Sequence, residues 1–255
     1  MISALTNLGA LIGVAALNRH NAALAKSMER LATGQRINRA SDDPAGMAAG
    51  DSLKAELNAI TRQIDRLTFE EKRLGAIEGA ESVITDLLLE LSGLVVSAAS
   101  TGGAGRRERE AAQESADAIL KTLNHLAANT TFDGNLIIAY RSSKSLGLAA
   151  LARGGEENLI NGDLEKAQKS VEDALASLTT SRAGVGIRQN DIHAEVQVLR
   201  AQFENLTAAR SLIMDTDYAA EMAEMVRRTM LREAARFVTQ LALEQNRSVV
   251  LKLLS

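Results

Sequence analysis

Apolar residues return every three or four positions through most of this chain, the spacing that lays a seam along one side of a helix. Leu53, Leu57, Ile60, Ile64, Leu67 and Leu74 form one such seam, broken at Glu71. After a slip of three residues between Leu74 and Ile77 it resumes as Ile84, Leu88, Leu91 and Val95, and a slip of that size overwinds a coiled coil locally. Residues 53–98 predict a rod of about 69 Å at 1.5 Å per residue. The stretch "STGGAG", residues 100–105, turns the chain into a shorter helix with Ala112, Ala116, Ile119, Leu123 and Leu126 on one face. Asp133-Gly134 reads as a turn, Leu136–Tyr140 as a short strand, and residues 141–162 as irregular sequence able to form a hairpin. Helical spacing returns after Asp163, a good N-cap, and continues through Ile192, Val196, Leu199, Phe203, Leu206 and Ile213. Arg210 breaks that row, and "RAGVG" at residues 182–186 is a possible interruption. Two rods of matched length joined by a short helix should pack as a bundle.

The two ends carry one greasy stripe each. Leu17, Leu24 and Leu31 repeat every seven residues, and Met230, Ala234, Phe237 and Leu241 at steps of four, three and four. A lone amphipathic helix is marginal in water because its stability comes from packing its apolar face. The ends must therefore cover each other, copies in other molecules, or both. Between the first end and the first rod lies "LATGQRINRASDDPAG", where Gly34 breaks the helix and Pro44, the only proline, suits a first helical position. Asp43 is the N-cap, and Asp42 and Asp43 sit favourably near a positive helix end. No Gly-Lys-Ser/Thr follows, so the passage is not a phosphate loop. The expected architecture is mostly all-α, a long-helix bundle with one short β-hairpin region. Residues 1–33 are a terminal helix, 34–46 a linker, 47–214 a central bundle with its hairpin at about 136–160, and 215–255 the other terminal helix.

Composition narrows the chemistry. Hydrophobic residues make up 46% of the chain but aromatics only 2%, so the core is aliphatic and suits close helix packing better than a ring-lined cofactor pocket. The absence of cysteine removes disulfide, thiolate and zinc-finger readings without fixing a compartment. The formal net charge is −3, with basic residues in excess near both ends; they are spread around helices rather than gathered in runs, which indicates solvated faces and no nucleic-acid partner. The apolar opening "MISALTNLGALIGVAAL" lacks a preceding positive charge and reads as mature structure, and no stretch is expected to span a membrane. His20, His125 and His193 are scattered without a metal-ligand spacing. Met222, Met225 and Met230 read as core filler. "TGGAGRRER" lacks the context of a nucleotide loop. No catalytic residue, cofactor or metal site is expected.

Three passages carry a family resemblance. "ERLATGQRINRASDDPAGMA" resembles the N-terminal signature of bacterial flagellins, "NTTFDGNLI" their segment after the third helix, and "NLTAARSLIMDTDYAAEMAEM" their C-terminal signature. The resemblance implies a secreted structural subunit that is exported through a type III apparatus and self-assembles into the extracellular helical filament of the flagellum. Its terminal helices would pair as an inner coiled coil, with Leu17, Leu24, Leu31, Met230, Phe237 and Leu241 as the assembly seam. Arg36, Asn38, Asp42, Asp43 and Pro44 would form the spoke to an outer bundle whose core includes Leu57, Ile60, Ile64, Leu67, Leu88, Leu91, Leu123, Ile192, Val196, Leu199, Phe203 and Leu206. Implied partners are identical subunits, an export chaperone, the filament cap and the hook-junction proteins. The related hook–filament junction protein, which also has an "SDDP"-type spoke, is the alternative; "FDGNLI", "DTDYAAEM" and the Leu-Leu ending favour the flagellin. The chain departs from the family pattern at Leu88, Leu89 and Glu90, where many flagellins carry residues contacted by a Toll-like receptor, so weak activation is expected. It departs again at Glu244 and Arg247 in the tail. If the filament is O-glycosylated, Ser142, Ser143 and Ser145 are the expected surface hydroxyls.

Overall fold

The computed structural model describes residues 7–100 and 105–254. Residues 101–104 of the expected "STGGAG" turn, the start of the apolar opening, and the side chains of the Leu253-Leu254 ending lie outside the described residues. The elements are α1 (Leu8–Thr33), α2 (Pro44–Ala99), α3 (Arg106–Asn129), β1 (Thr131–Phe132), β2 (Asn135–Leu136), two 3-10 turns (Ala139–Arg141 and Leu148–Leu151), α4 (Leu164–Met214) and α5 (Tyr218–Leu254). Short polar side chains start α1, α2, α4 and α5. Asn7 accepts from the Ala10 N–H at 3.0 Å, Asp43 from Gly46 at 2.9 Å, Asp163 from Lys166 at 3.1 Å and Asp217 from Ala219 at 2.9 Å, each satisfying a donor the first helical turn leaves unpaired. Pro44 occupies the first position of α2, where its missing N–H costs nothing.

The chain divides into two compact units, residues Met1–Ile60 with Ala201–Ser255, and Thr61–Arg200. The division falls inside α2 and α4, so each long helix contributes to both units. Helix α4 is unbroken, so the interruption expected at residues 182–186 is absent; Gly184 and Gly186 remain helical.

In the second unit the buried positions of α2 include Leu67, Leu74, Ile77, Ile84, Leu88, Leu91 and Val95, with Leu123 on α3 and Ile192, Val196 and Leu199 on α4. Ile64 is half-buried. In the first unit Ile60 is buried, Leu57 and Leu206 are half-buried, and Phe203 is 37% exposed. Phe203 is thus not a core residue: its spacing keeps it on the face of Ile192 and Val196, but spacing cannot show how far along α4 that face is covered. One 18-residue stretch of α2 reaches a mean hydropathy of 1.6, apolar and long enough to cross a membrane by composition. The expectation that no stretch came close is corrected, although Ile84, Leu88, Leu91 and Val95 are fully buried within their own unit.

The hairpin lies earlier than expected. Thr131 pairs with Leu136 and Phe132 with Asn135 around Asp133 (φ 51°) and Gly134 (φ 74°), the two left-handed residues that a tight hairpin turn requires. Residues 136–160 form no hairpin because α3 side chains take the backbone groups a strand ladder would have used. The buried Gln113 amide donates to the Leu151 carbonyl at 2.9 Å and accepts from the Leu159 N–H at 2.7 Å. Asp117 accepts from Arg153 N–H and Asn124 from Ser143 N–H, both at 2.9 Å. Ser143 is consequently buried and is not the surface hydroxyl expected, whereas Ser145 is exposed and Ser142 half-buried.

Glu81 sits fully buried in the α2 seam between Ile77 and Ile84. Its Oε1 accepts from Arg141 Nε and Nη2 at 3.0 and 2.9 Å and from Ser181 Oγ at 2.8 Å, while Oε2 has no partner among the described residues. The Arg141 guanidinium also lies 4.7 Å from the Tyr140 ring centroid. Removing one member of a buried pair strands the other charge, so Arg141→Ala should lower unfolding stability by about 3–5 kcal/mol. Urea unfolding checks this, with Glu81→Leu/Arg141→Met expected to recover most of the loss; a single-mutant change below about 1 kcal/mol would show that the pair is solvated.

Candidate assembly site

Helices α1 and α5 run antiparallel: Asn7 Nδ2 donates to the Ala242 carbonyl, Gly13 meets Thr239, and Arg30 pairs with Glu221 at 3.3 Å. The residues of α1 turned inward are Ala10, Gly13, Leu17, His20, Leu24, Ser27 and Leu31, all buried or half-buried at alternating steps of three and four. Those of α5 are Glu221, Met225, Arg228, Arg232, Ala235, Thr239, Ala242 and Asn246, all half-buried at the same steps. Both rows have coiled-coil spacing, but most of their members are small or polar. The helices approach closely: a Cβ added to Gly13 would collide with the Thr239 side chain and come within 3.3 Å of its Cα, and one on Gly9 would reach Ala242 Cβ at 3.5 Å.

This pairing leaves the bulky stripe of α5 outside. Met230 is 68%, Phe237 67% and Leu241 45% exposed, with Met222 and Val226 in line with them. At 100° per residue they lie roughly opposite the inward row. Of the residues expected as the assembly seam, Leu17, Leu24 and Leu31 line the α1–α5 contact, whereas Met230, Phe237 and Leu241 face away from α1 and are exposed in the single subunit. Met222 and Met230 are likewise not core filler; Met225 alone of the three is turned inward. Leu8, Leu11 and Ile12, 59–65% exposed, repeat the arrangement on α1. They belong to the end of the pair that holds Val238, Leu241 and Leu243, also exposed. The small residues of the inward rows were missed because a search for large apolar side chains passes over Ala, Ser and Thr; their strict 3/4 spacing was the available signal.

The connector between α1 and α2 is held to the start of α5 by backbone. Gly34 (φ 70°) ends α1, its N–H bonding Arg30 O at 2.8 Å. Arg36 N–H then donates to Met214 O at 2.7 Å, and Thr216 N–H to Gly34 O at 2.9 Å. The Arg36 guanidinium adds a bond to Ile213 O at 2.8 Å, and Asn38 Nδ2 one to Gln35 O at 2.9 Å. Ile37 is 2% exposed. Asp42 gathers Lys26 Nζ at 2.7 Å and the N–H groups of Asn38 and Arg39, both at 3.2 Å. The Lys26 ammonium first, and the Asn38 amide next, hold its carboxyl down at about 2. Asp43 and Pro44 start α2 as described. The spoke residues expected from sequence are thus brought together at one place. His20, His125 and His193 are not, and no group of three His, Asp or Glu side chains that could hold a metal occurs among the described residues. Of the positions expected to weaken receptor activation, Leu88 is buried, while Leu89 and Glu90 are exposed.

Paired helices with a thin seam inside and bulky apolar stripes outside are the build of a subunit completed by association. The sequence profile described as the bacterial flagellin N-terminal helical region matches residues 5–142, and the C-terminal helical region matches residues 168–254, so the chain belongs to the flagellin family. It is 25% identical to the flagellar filament 33 kDa core protein of Treponema phagedenis and 24% identical to the flagellin of Bacillus subtilis (strain 168), in both cases over 96% of this chain and 97% of the relative. It is 30% identical to the polar flagellin F of Vibrio parahaemolyticus over 55% of this chain and 37% of that one. As a flagellin, the chain is a structural subunit of the flagellar filament.

Because the Asp42 carboxyl lies below its ordinary 3.8, its bonds add stability above pH ~4, and this is lost as the pH falls towards ~2. The protection of the Asn38 and Arg39 amides, measured by NMR relative to the intrinsic exchange rate at each pH, should therefore fall across that interval, and Asp42→Ala should show the lowered protection already at neutral pH. Protection that stays unchanged from pH 5 to 2 would refute the role given to Asp42.

Proposed function

We propose that the chain self-assembles into a helical filament by burying the outward faces of α1 and α5 against identical subunits. The observation that carries this is the stripe Met222, Val226, Met230, Phe237 and Leu241, exposed on the side of α5 away from α1. Contiguous exposed apolar side chains at helical spacing mark a surface made for a partner. The relatives named above supply the partner, since one is a filament core protein. The filament so formed is extracellular and serves motility; the subunit reaches it through type III export with a chaperone, and adds beside cap and junction proteins. These finer steps follow from family membership. The connector acts as the spoke, holding the α1–α5 pair in register while the second unit contributes the outer bundle.

Two substitutions separate the inner seam from the outer stripe. Phe237→Glu changes a side chain that is 67% exposed, so the isolated subunit should keep its far-UV circular dichroism and melting temperature. Its critical concentration for polymerisation should rise more than tenfold, because burying a phenylalanine contributes about 1.5–3 kcal/mol. Leu24→Glu buries a charge between α1 and α5, and should release both helices from amide protection before any assembly step. Sedimentation and negative-stain microscopy give the readout. Ordinary filaments from Phe237→Glu at the parent's concentration would overturn the proposed surface.

A further inference from the structure

Four glycines lie at one level of the second unit with no packing reason to be glycine. Gly75 and Gly79 are in the interior of α2, Gly184 and Gly186 in the interior of α4, and a Cβ built on any of them meets nothing within 4 Å. Each weakens its helix relative to alanine without admitting a close neighbour in exchange. Gly93, further along α2, has the same open space but no counterpart on α4.

At the same level both seams fall out of phase. On α2 the inward positions Leu67, Glu71, Leu74, Ile77 and Glu81 contain two successive steps of three. On α4 the positions Leu178, Ser181, Val185, Gln189 and Ile192 contain two successive steps of four. A three-residue slip overwinds a coiled coil and a four-residue slip unwinds it, so the two helices depart from regular packing in opposite senses side by side. The rungs across this level are polar. Arg188 Nε donates to Glu70 at 3.0 Å, Gln189 to Glu78 at 3.2 Å, and His193 lies 3.4 Å from Glu71. To either side the seams are apolar, with Ile84, Leu88, Val171 and Ala174 buried on one side and Leu67, Val196 and Leu199 on the other.

We infer that residues 71–79 of α2 and 181–190 of α4 form a compliant joint at which the two helices open or bend together. The proposal does not depend on assembly and is tested on the free subunit. In hydrogen-exchange mass spectrometry of the full chain, peptides covering 72–79 and 183–190 should exchange at least tenfold faster than those covering 84–95 and 167–178. In Gly75→Ala/Gly79→Ala/Gly184→Ala/Gly186→Ala, which fills open space, that difference should fall at least tenfold while the flanking rates stay put. Equal protection of all four segments in the parent overturns the joint. So does a quadruple variant whose thermal midpoint rises while the local exchange difference persists, because the glycines would then lower stability without localising motion.

Discussion

The structure depends on how α5 divides its two faces. A helix can bring its partner close only where side chains are short, and the inward row of α5 offers Thr239 and Ala242 to Gly13 and Gly9. Close approach gains dispersion contact, but the small side chains that allow it bring little apolar area of their own, and apolar area is the larger source of helix-pairing energy in water. The large side chains that supply such area are placed on the opposite side of the same helix. The pair is thus held together internally by shape, backbone proximity and a few polar contacts such as Arg30–Glu221. Its main hydrophobic gain is deferred to the moment another surface covers Phe237 and its neighbours. Had the bulky stripe faced α1, the pair would be a self-sufficient hairpin with little reason to associate.

A thin internal seam needs something else to set its register, and the connector does this. Two backbone hydrogen bonds, Arg36 to Met214 and Thr216 to Gly34, tie the end of α1 to the α4–α5 junction. Gly34 makes this geometrically possible: its left-handed conformation turns the chain where a side chain would be strained, and a Cβ there would lie 3.0 Å from the Tyr218 hydroxyl. Asp42 closes the other side by drawing Lys26 from α1 onto the turn that leads into α2. Once α1 and α5 are fixed at this end, the 3/4 spacing of both rows fixes the remainder. A slip of one residue would bring α5's outward stripe no closer to α1, but would set Gly13 against the wrong small residue.

Much of this was legible in the sequence, and the failures share a cause. The helix borders at Thr33, Pro44 and Asp163 could be read because Gly34, Pro44 and the Asx caps act locally. The apolar seam from Ile84 to Val95 could be read because large aliphatic residues at 3/4 spacing announce a buried face. Where burial is achieved by small or charged residues the same reading fails. It missed Ala235, which is turned towards α1, and it passed over Glu81, whose burial depends on Arg141, 60 positions away. The misplaced hairpin is a similar case. Residues 136–160 look irregular alone because their order is imposed by Gln113, Asp117 and Asn124 on α3, and no local pattern encodes a side chain that arrives from another element.

The distribution of aromatic residues ties these points together. The chain has four Phe, two Tyr and no Trp. Phe69, Tyr140, Phe203, Tyr218 and Phe237 are all exposed, and Phe132 is half-buried against Phe69 at a centroid distance of 5.1 Å. In a chain that completes its folding alone, phenylalanine is among the residues most often found inside. Here every fully buried large apolar side chain among the described residues is aliphatic. Aliphatic cores suit closely approaching helices, whose axes sit 8–10 Å apart according to the side chains between them. Rings buried on association contribute more per side chain than aliphatics do, and they concentrate at protein interfaces for that reason. A filament subunit must be stable enough to keep its shape and must still hold back its strongest apolar contacts for its neighbours. Placing the aliphatic residues inside and the rings outside satisfies both demands with one composition.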